Sequence, residues 1–407
     1  MKENRKGDIF MSLVNTPSGN RLHIGIFGKR NSGKSSLLNA ITGQGIALVS
    51  EVKGTTTDPV SKAMEIHPIG PCLLIDTAGF DDTGDLGNMR IEKTKAVLDK
   101  TDVAVVVFSD MQMELETQWI AMLRQRKIPI LAVVNQVDRI EQVQEIKRQI
   151  EQRFSLTPLL VSAKEKTGIS QMKHEILRLM PPDFEAQSLT GSLVQPEDVV
   201  LLVMPQDKQA PKGRLILPQV QTIRDLLDNH CVVMCVTTEQ LSTALQALAK
   251  PPKLIITDSQ AFAQVYPLKP AETLLTSFSI LLAAYKGDLS AFVKGANALD
   301  SLTDDSHVLI AEACTHAPLQ EDIGRVKIPN MLRKKYGEHL QVTVVSGSQF
   351  PKDLSEYQLI IHCGACMFNR KHVLTRVEQA EQQGVPITNY GVVLAKLTGI
   401  LDRISMQ

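Results

Sequence analysis

Long apolar runs are missing from this sequence of 407 residues. A membrane helix needs roughly 18 or more continuous apolar residues. The longest candidate, residues 274–284, is too short and includes Thr276 and two serines. The first 20 residues carry scattered charges and no apolar core of the kind that a signal peptide has. These absences predict a cytoplasmic protein with no membrane partner.

An excess of charge of either sign is also missing. Lys and Arg number 44, and Asp and Glu number 44, so the formal net charge is zero. A surface that binds nucleic acid or anionic lipid needs a basic excess. The composition therefore predicts no nucleic-acid partner. Cysteine is scarce, at six residues, and without an export signal we expect reduced thiols, so a group of them favours metal or redox chemistry.

A phosphate-binding pattern lies near the start of the chain. Residues 22–27 are typical of a buried strand, and Gly28-Lys-Arg-Asn-Ser-Gly-Lys-Ser35 follows immediately, before a predicted helix over 36–41. This is G-x-x-x-x-G-K-[ST] between a strand and a helix. In such a loop the backbone N–H groups surround the phosphates, Lys34 reaches the β and γ oxygens, and the Ser35 hydroxyl coordinates Mg²⁺.

Two further segments complete the predicted magnesium and γ-phosphate site. An apolar strand over 73–75 ends at Asp76, which is expected to support Mg²⁺, and the N–H of Gly79 can face the γ-phosphate. Between the loop and this strand, Gly54-Thr-Thr-Thr-Asp58 offers the hydroxyl of a switch segment. We expect Thr56 to be the residue that senses Mg²⁺ and the γ-phosphate.

The base-recognition segments predict guanine. A strand over 130–134 leads into Asn135-Gln-Val-Asp138. A carboxylate at Asp138 can accept hydrogen bonds from N1–H and from the exocyclic amine of guanine, which adenine does not offer. A strand over 158–161 leads into Ser162-Ala-Lys164, whose backbone N–H groups can bind the guanine carbonyl. Motifs that each follow a strand indicate an α/β fold, with a parallel sheet covered on both faces and ligands at the strand ends.

These motifs together predict a GTP/GDP site with Mg²⁺ and a GTP-hydrolysing activity. The residues expected to act on the γ-phosphate are Lys34, Thr56 and Gly79, and the predicted Mg²⁺ ligands are Ser35, Thr56 and Asp76. The residues expected to bind nucleotide are Asn31, Ser32, Gly33, Lys34, Ser35, Ser36, Thr56, Asp76, Gly79, Asn135, Asp138, Ser162, Ala163 and Lys164.

The stretch from about 22 to 180 resembles the Era and tRNA-modification-type GTPases through G-x-x-N-[SA]-G-K-S-S-L-x-N and G-T-T-x-D. Gln136 departs from the usual N-K-x-D, so we expect modest affinity with guanine specificity kept by Asp138. Phe80 follows D-T-A-G where Ras-like proteins have a catalytic Gln. In potassium-activated relatives the residue matching Asn31 binds K⁺, so the resemblance implies slow, K⁺-stimulated hydrolysis; the alternative is that Asn31 only stiffens its loop.

The middle of the chain is predicted to form a small α/β unit without an acid–base pair or phosphate loop. By elimination we expect a dimerisation element. Cys231 and Cys235 lie four positions apart in one apolar run, which separates their sulfurs by about 13 Å in a strand, so we expect core packing and no metal site. The predicted strands and helices of this unit are, in chain order, 199–204, 219–229, 231–236, 240–249 and 254–257.

A cysteine and histidine group follows two predicted strands near the end of the chain. Strand 307–311 leads to Cys314-Thr-His316, and strand 357–361 leads to His362-Cys363-Gly-Ala-Cys366. Parallel neighbours bring their carboxyl ends together, so the thiolates can meet. Three interpretations compete: an accidental grouping, a structural zinc site with three cysteines and one histidine, and an iron–sulfur cluster with one exchangeable position. The incomplete thiolate shell favours the cluster, with Glu312 or a histidine as the weak ligand.

The combination resembles one family over essentially the whole chain, the [FeFe]-hydrogenase maturation GTPases. The resemblance implies that Cys314, Cys363 and Cys366 hold a [4Fe–4S] cluster with His316 or His362 nearby. It also implies a scaffold that receives a transient di-iron precursor from two radical-SAM maturases and delivers it to apo-[FeFe]-hydrogenase. From the middle unit we expect this scaffold to be a homodimer. The alternative is a GTPase of ribosome or tRNA with a structural zinc domain.

The length of the chain is too great for one core. We expect three α/β domains. They are a GTPase domain over 1–184, a small dimerisation domain over 185–268, and a cluster-binding domain over 269–407.

Overall fold

The first of two compact units, 1–185 and 186–407, is built on a parallel sheet. In this computed structural model the described residues are 16–43, 60–77, 96–182, 184, 188–205, 215–313, 322–347 and 349–406. The strands of the first sheet are β1 Leu22–Gly28, β2 Val60–Ile66, β3 Gly70–Asp76, β4 Val103–Phe108, β5 Ile130–Val134 and β6 Leu159–Leu160.

The order of this sheet is β2-β3-β1-β4-β5-β6, and only the pairing of β2 with β3 is antiparallel among its described strands. The central strands β1 and β4 are buried along their whole length, because helices cover both faces of the sheet. Those helices are α1 Lys34–Thr42, α2 Glu114–Gln125, α3 Val143–Phe154 and α4 Ile169–Leu179. The predicted α/β class and parallel sheet are confirmed.

The second unit begins with a four-stranded parallel sheet in the order β10-β9-β7-β8. Its described elements are β7 Val199–Val203, α5 Leu217–Asp228, β8 Val232–Val236, α6 Leu241–Ala247, β9 Leu254–Thr257, α7 Phe262–Val265, β10 Leu274–Ser277 and α8 Phe278–Lys286. β10 lies beyond residue 268, where we expected the second domain to end, and it pairs with β9.

A third parallel sheet follows in the same unit, in the order β12-β11-β13-β14. Its elements are α9 Leu289–Ala296, β11 His307–Glu312, a π-helical turn Ile323–Lys327 continued by α10 Ile328–Tyr336, β12 Gln341–Ser346, β13 Leu359–His362, α11 Arg370–Gln382, β14 Ile387–Asn389 and α12 Tyr390–Leu397. Buried side chains of both sheets, such as Leu201 and Ile360, belong to one continuous core.

The helix α9 packs closely on β14 of this unit. A Cβ atom added at Gly295 would lie 1.9 Å from the carbonyl oxygen of Ile387, so only glycine allows this approach of two backbones. Among the described residues, none of the helices combines the length and the apolar character that crossing a bilayer requires.

Candidate nucleotide site and cysteine site

The phosphate loop (residues 28–35) curls between β1 and α1. Gly33 has a φ of +84°, and a Cβ atom there would lie 2.3 Å from Nδ2 of Asn135, so the position requires glycine. Lys34 is 9% exposed, and its Nζ donates to the carbonyl oxygens of Gly28 and Lys29, both at 2.7 Å. The ammonium group therefore lies within the curve of the loop, where such loops bind phosphate.

The carboxylate of Asp76 fits the predicted magnesium role. It ends β3 next to β1, with Asp76 paired to Ile26 in the register. Among the described residues its buried Oδ1 atom has no hydrogen-bond partner. Burial raises the pKa of Asp76, while the nearby Lys34 lowers it. A buried carboxylate oxygen without a partner is costly, and a hard cation shared with the Ser35 hydroxyl would satisfy it.

The base-recognition segment is tied to the phosphate loop by Asn135. This residue is fully buried, its Nδ2 donates to the carbonyl oxygen of Ser32 at 3.0 Å, and its Oδ1 accepts from the N–H of Ala163 at 3.2 Å. Asn135 belongs to the segment 135–138 and therefore connects the phosphate loop, through Ser32, with the segment 162–164, through Ala163.

The Asp138 carboxylate is oriented by a neighbouring hydroxyl. Ser162 Oγ donates to Asp138 Oδ1 at 2.5 Å, and the same Oγ accepts from the N–H of Glu165 at 3.1 Å. The hydrogen bond from Ser162 lowers the pKa of Asp138, so the carboxylate is an acceptor at neutral pH. Lys164 is exposed and pairs with Glu165 at 3.8 Å.

The Gln136 side chain makes a contact that the sequence did not predict. Its Nε2 donates to the carbonyl oxygen of Asn31 at 2.9 Å, and both residues have left-handed backbones, each with a φ of +63°. Gln136 thus links the base-recognition segment to the phosphate loop.

The remaining predicted site residues are placed as follows. Ser35 and Ser36 are exposed at the start of α1. Outside the described residues lie Thr56, Gly79, Phe80, Cys314 and His316.

The cysteine site forms where two parallel strands end. β11 and β13 are neighbours, with Ala311 paired to His362, which confirms that the two cysteine segments follow adjacent parallel strands. Cys363 Sγ accepts hydrogen bonds from the N–H groups of Ala313 at 3.0 Å and Ala365 at 3.4 Å. Burial raises the pKa of Cys363 to about 11, and these two N–H groups oppose the rise.

A cavity of about 200 Å³ opens on this site. Cys363 and Cys366 line it, together with Tyr390 after β14 and with Ser259 and Ser279 after β9 and β10. The carboxyl ends of both sheets of the second unit therefore face one space, the usual place for a ligand in parallel sheets.

The residues around Cys363 and Cys366 fit an iron–sulfur cluster. Both sulfur-bearing residues line one cavity, and two backbone N–H groups donate to the Cys363 sulfur, which stabilises a thiolate there. Ala313, which donates one of these bonds, immediately precedes Cys314 in the chain. Across the ranges that the structure describes, no three His, Cys, Asp or Glu side chains converge as a metal site would need; Cys314 and His316 lie outside them.

The structure does not support the expected ligand role of His362. Its ring is 1% exposed, its Nε2 accepts from Nη1 of Arg376 at 2.9 Å, and its Nδ1–H donates to the carbonyl oxygen of Cys363 at 2.8 Å. Burial, and then Arg376, lower the pKa of His362 to about 3. Neighbouring side chains of a strand point to opposite faces, so His362 turns away from the thiols and both of its nitrogens are engaged.

Glu312 is likewise engaged as an ion pair. It is 5% exposed, and its Oε2 accepts from Nε and Nη2 of Arg325 at 3.1 and 3.0 Å. The structure thus gives Glu312 the role of partner to Arg325, in place of the weak-ligand role that we considered for it.

Lys286 is the site residue that sequence reasoning missed. It is 1% exposed, and burial lowers the pKa of its ammonium to about 8, while Cys366 and Cys363 raise it. Lysine is almost never fully buried unless it is paired. The single lysine at the end of the apolar stretch 274–286 was therefore a signal, available in the sequence, that this residue is buried and has a specific partner.

The two cysteines of β8 differ in their surroundings. Cys231 is 6% exposed and packs in a core cluster, which confirms the prediction of core packing. Cys235 is exposed, so the prediction was wrong for this residue, because β8 is the edge strand of its sheet.

The fold and the nucleotide site define a P-loop GTPase domain, and residues 23–136 match a family model described as 50S ribosome-binding GTPase. Two further models match most of the remaining chain: the hydrogen maturase F dimerization domain at 189–287 and the hydrogen maturase F tetramerization domain at 290–406. Together these two cover more than half of the chain. The chain belongs to the hydrogen maturase F (HydF) family.

Curated relatives match the GTPase region. GTPase Der of Wolinella succinogenes is 33% identical over 172 residues, which are 39% of this chain and 36% of that protein. The tRNA modification GTPase MnmE of Bordetella petrii is 38% identical over 162 residues, 39% of this chain and 33% of that protein. The chain thus spans less than two-fifths of the length of these relatives.

Among solved structures, Era of Aquifex aeolicus bound to GDP and aluminium fluoride is 19% identical and covers 53% of this chain and 92% of that one. The TM-score of this match is 0.35.

Proposed function

We propose that this chain is a scaffold that holds a [4Fe–4S] cluster on Cys314, Cys363 and Cys366. In this proposal it assembles or transfers the di-iron subcluster of [FeFe]-hydrogenase and hydrolyses GTP to regulate that exchange. The partners are two radical-SAM maturases and the apo-hydrogenase, as membership of the family suggests. The observation that carries the proposal is the sulfur of Cys363, held by two backbone N–H groups on a cavity that Cys366 also lines.

The chemistry of these donors supports a cluster over a purely structural metal. A cluster bound by three thiolates would leave one iron with a weaker ligand, and Cys363 and Cys366 would hold it at a cavity with room for a small molecule. A structural zinc site is normally closed by four protein ligands. With the nitrogens of His362 and the carboxylate of Glu312 engaged elsewhere, neither completes such a shell.

The GTPase domain is proposed to act as a switch. Its residues fit GTP and Mg²⁺ through Lys34, Asp76 and Asp138, and K⁺ binding at Asn31 is proposed from the sequence resemblance. Among the described residues of the site no side chain offers itself as a phosphoryl acceptor, and the proposed acceptor is water. Hydrolysis therefore biases a contact between domains or with a partner, as loss of the γ-phosphate does in switch proteins.

Metal analysis tests this function. The chain is purified anaerobically and supplied with iron and sulfide, and the bound metals, labile sulfide and visible spectrum are measured. We expect a brown protein with about four irons per chain. Cys363→Ser and Cys366→Ser should each lose most of the iron, whereas Cys235→Ser, an exposed thiol away from the cavity, should keep it. A colourless protein with one zinc would contradict the proposal and favour the GTPase of ribosome or tRNA.

A further inference from the structure

Lys286 binds the backbone of the cysteine loop (residues 363–369). It is the last residue of α8, and its Nζ donates to the carbonyl oxygens of Phe368 at 2.7 Å, Cys366 at 3.2 Å and Ala365 at 3.4 Å. An ammonium group has three N–H donors. These three carbonyl groups belong to one loop, so a single buried side chain fixes the turn that carries Cys366.

The loop holds α8 in return. Arg370, one residue beyond the loop, donates through Nη1 to the carbonyl oxygens of Gly287 at 2.9 Å and Tyr285 at 3.1 Å. These carbonyls lie at the carboxyl end of α8, where a cation is favourable. Lys286 of α8 thus binds carbonyl groups of the cysteine loop, and Arg370 after the loop binds carbonyl groups at the end of α8. We call this pair of mutual contacts the clasp.

The ammonium of Lys286 also acts electrostatically on both thiols. Its Nζ lies 3.2 Å from the carbonyl oxygen of Cys366 and 3.4 Å from that of Ala365, so the positive charge lies beside the loop that carries Cys363 and Cys366. In a buried site this attraction is weakly screened by solvent. A positive charge beside these residues favours the more negative, reduced state of a cluster that they would hold.

We propose that Lys286 is the positioning residue of the cysteine site, fixing the loop through its carbonyls and setting the reduction potential of the bound cluster through its charge. Only the second half of this inference, the effect of the charge on the reduction potential, rests on the proposed cluster function. Positioning of the loop is a property of the chain without iron, so the two halves are tested separately.

Hydrogen–deuterium exchange of the metal-free, full chain tests the positioning half. Lys286→Met keeps the length of the side chain but removes its charge and its donors. We expect exchange in a peptide covering 363–369 to rise at least tenfold, whereas Lys294→Met, an exposed lysine of α9, leaves it unchanged. Lys286→Arg should give an intermediate rate, and it serves if the Met variant is unfolded by circular dichroism. Wild-type exchange rates in the Met and Arg variants would overturn the positioning role.

The reduction potential of the reconstituted protein tests the charge half. Lys286→Met should make reduction at least tenfold less favourable, a shift of about 59 mV to more negative potential for one electron. Arg370→Met loosens the same clasp but keeps the Lys286 charge, so exchange should rise while the potential stays at the wild-type value.

Equal potentials in wild type and Lys286→Met, or equal shifts in the Lys286 and Arg370 variants, would overturn the charge role. A wild-type chain that takes up no iron contradicts the proposed function and the charge half with it. The exchange comparison still decides the positioning half in that case.

Discussion

The backbone N–H of Ala313 donates a 3.0 Å hydrogen bond to the sulfur of Cys363. Fifty residues separate the two in the chain, and they meet because β11 and β13 are parallel neighbours. Since Ala313 immediately precedes Cys314, this bond ties the first cysteine segment to the second. The thiol chemistry of the chain is therefore organised by the carboxyl ends of two strands, and the predictions that follow separate it from the nucleotide chemistry.

Loss of Lys34 should abolish GTP hydrolysis and leave iron content unchanged. Lys34→Ala removes the charge that lies within the phosphate loop, and we expect turnover to fall by about a hundredfold or more. Steady-state phosphate release and iron content are the two measurements. Lys147→Ala, on the exposed face of α3 in a pair with Glu151, is the control. Loss of hydrolysis and iron together would show that the two functions depend on each other.

The base that the protein prefers should change when the carboxylate of Asp138 is replaced by an amide. Asp138→Asn replaces an acceptor by an amide that can donate to the carbonyl of xanthine at the position where guanine has its amine. We expect GTP binding to weaken by about a hundredfold and binding of xanthosine triphosphate to strengthen. Ser162→Ala, which removes only the orienting hydroxyl, should weaken GTP binding less. Unchanged GTP affinity in Asp138→Asn would exclude the predicted base contact.

Hydrolysis should be faster in KCl than in NaCl at equal ionic strength. Asn31→Ala should remove the difference if Asn31 ligates K⁺. Gln136→Ala should reduce it, because the carbonyl of Asn31 loses the 2.9 Å hydrogen bond that holds this part of the loop. Initial rates in the two salts give the comparison, and equal rates for the wild type would leave Asn31 as a loop-stiffening residue.

The exposed edge of β8 should form the dimer contact. Val232 is 57% exposed on this strand, and Leu227 is 55% exposed on the adjacent α5, while an unpaired edge strand is a ready template for a second chain. Val232→Lys should lower the mass of the oligomer in light scattering, because the contact at β8 is lost, whereas Leu268→Lys, at a residue that is 46% exposed and does not lie on β8, should not. A wild-type monomer, or a variant with the wild-type mass, would contradict this assignment.

The sequence predicted the elements and motifs more completely than the side-chain contacts. The apolar run of β5 and the parallel pairing of β11 with β13 follow from local patterns and from a general rule of parallel sheets. The engagement of His362 by Arg376, which lies on α11, depends on which face of the strand packs on that helix. Adjacent side chains of a strand lie on opposite faces, so the sequence alone could have predicted that His362 and Cys363 point in different directions.

Contacts between distant segments were beyond reach of the sequence. Gln136 and Asn31 are 105 residues apart, and Lys286 and Phe368 are 82 apart. No local pattern encodes which carbonyl groups a long polar side chain will meet after folding. The missing lysine of N-K-x-D suggested only a lost contact with the base, whereas the structure shows a new contact with the phosphate loop.

Electron paramagnetic resonance of the reduced, anaerobically reconstituted protein, with and without added cyanide, tests the central claim most directly. Three thiolates leave one iron with an exchangeable ligand, so the account predicts a cluster signal that cyanide shifts in the wild type and in His362→Ala alike, and that is absent from Cys363→Ser. A cluster signal that cyanide leaves unchanged, or one that persists without Cys363, would contradict the proposed site.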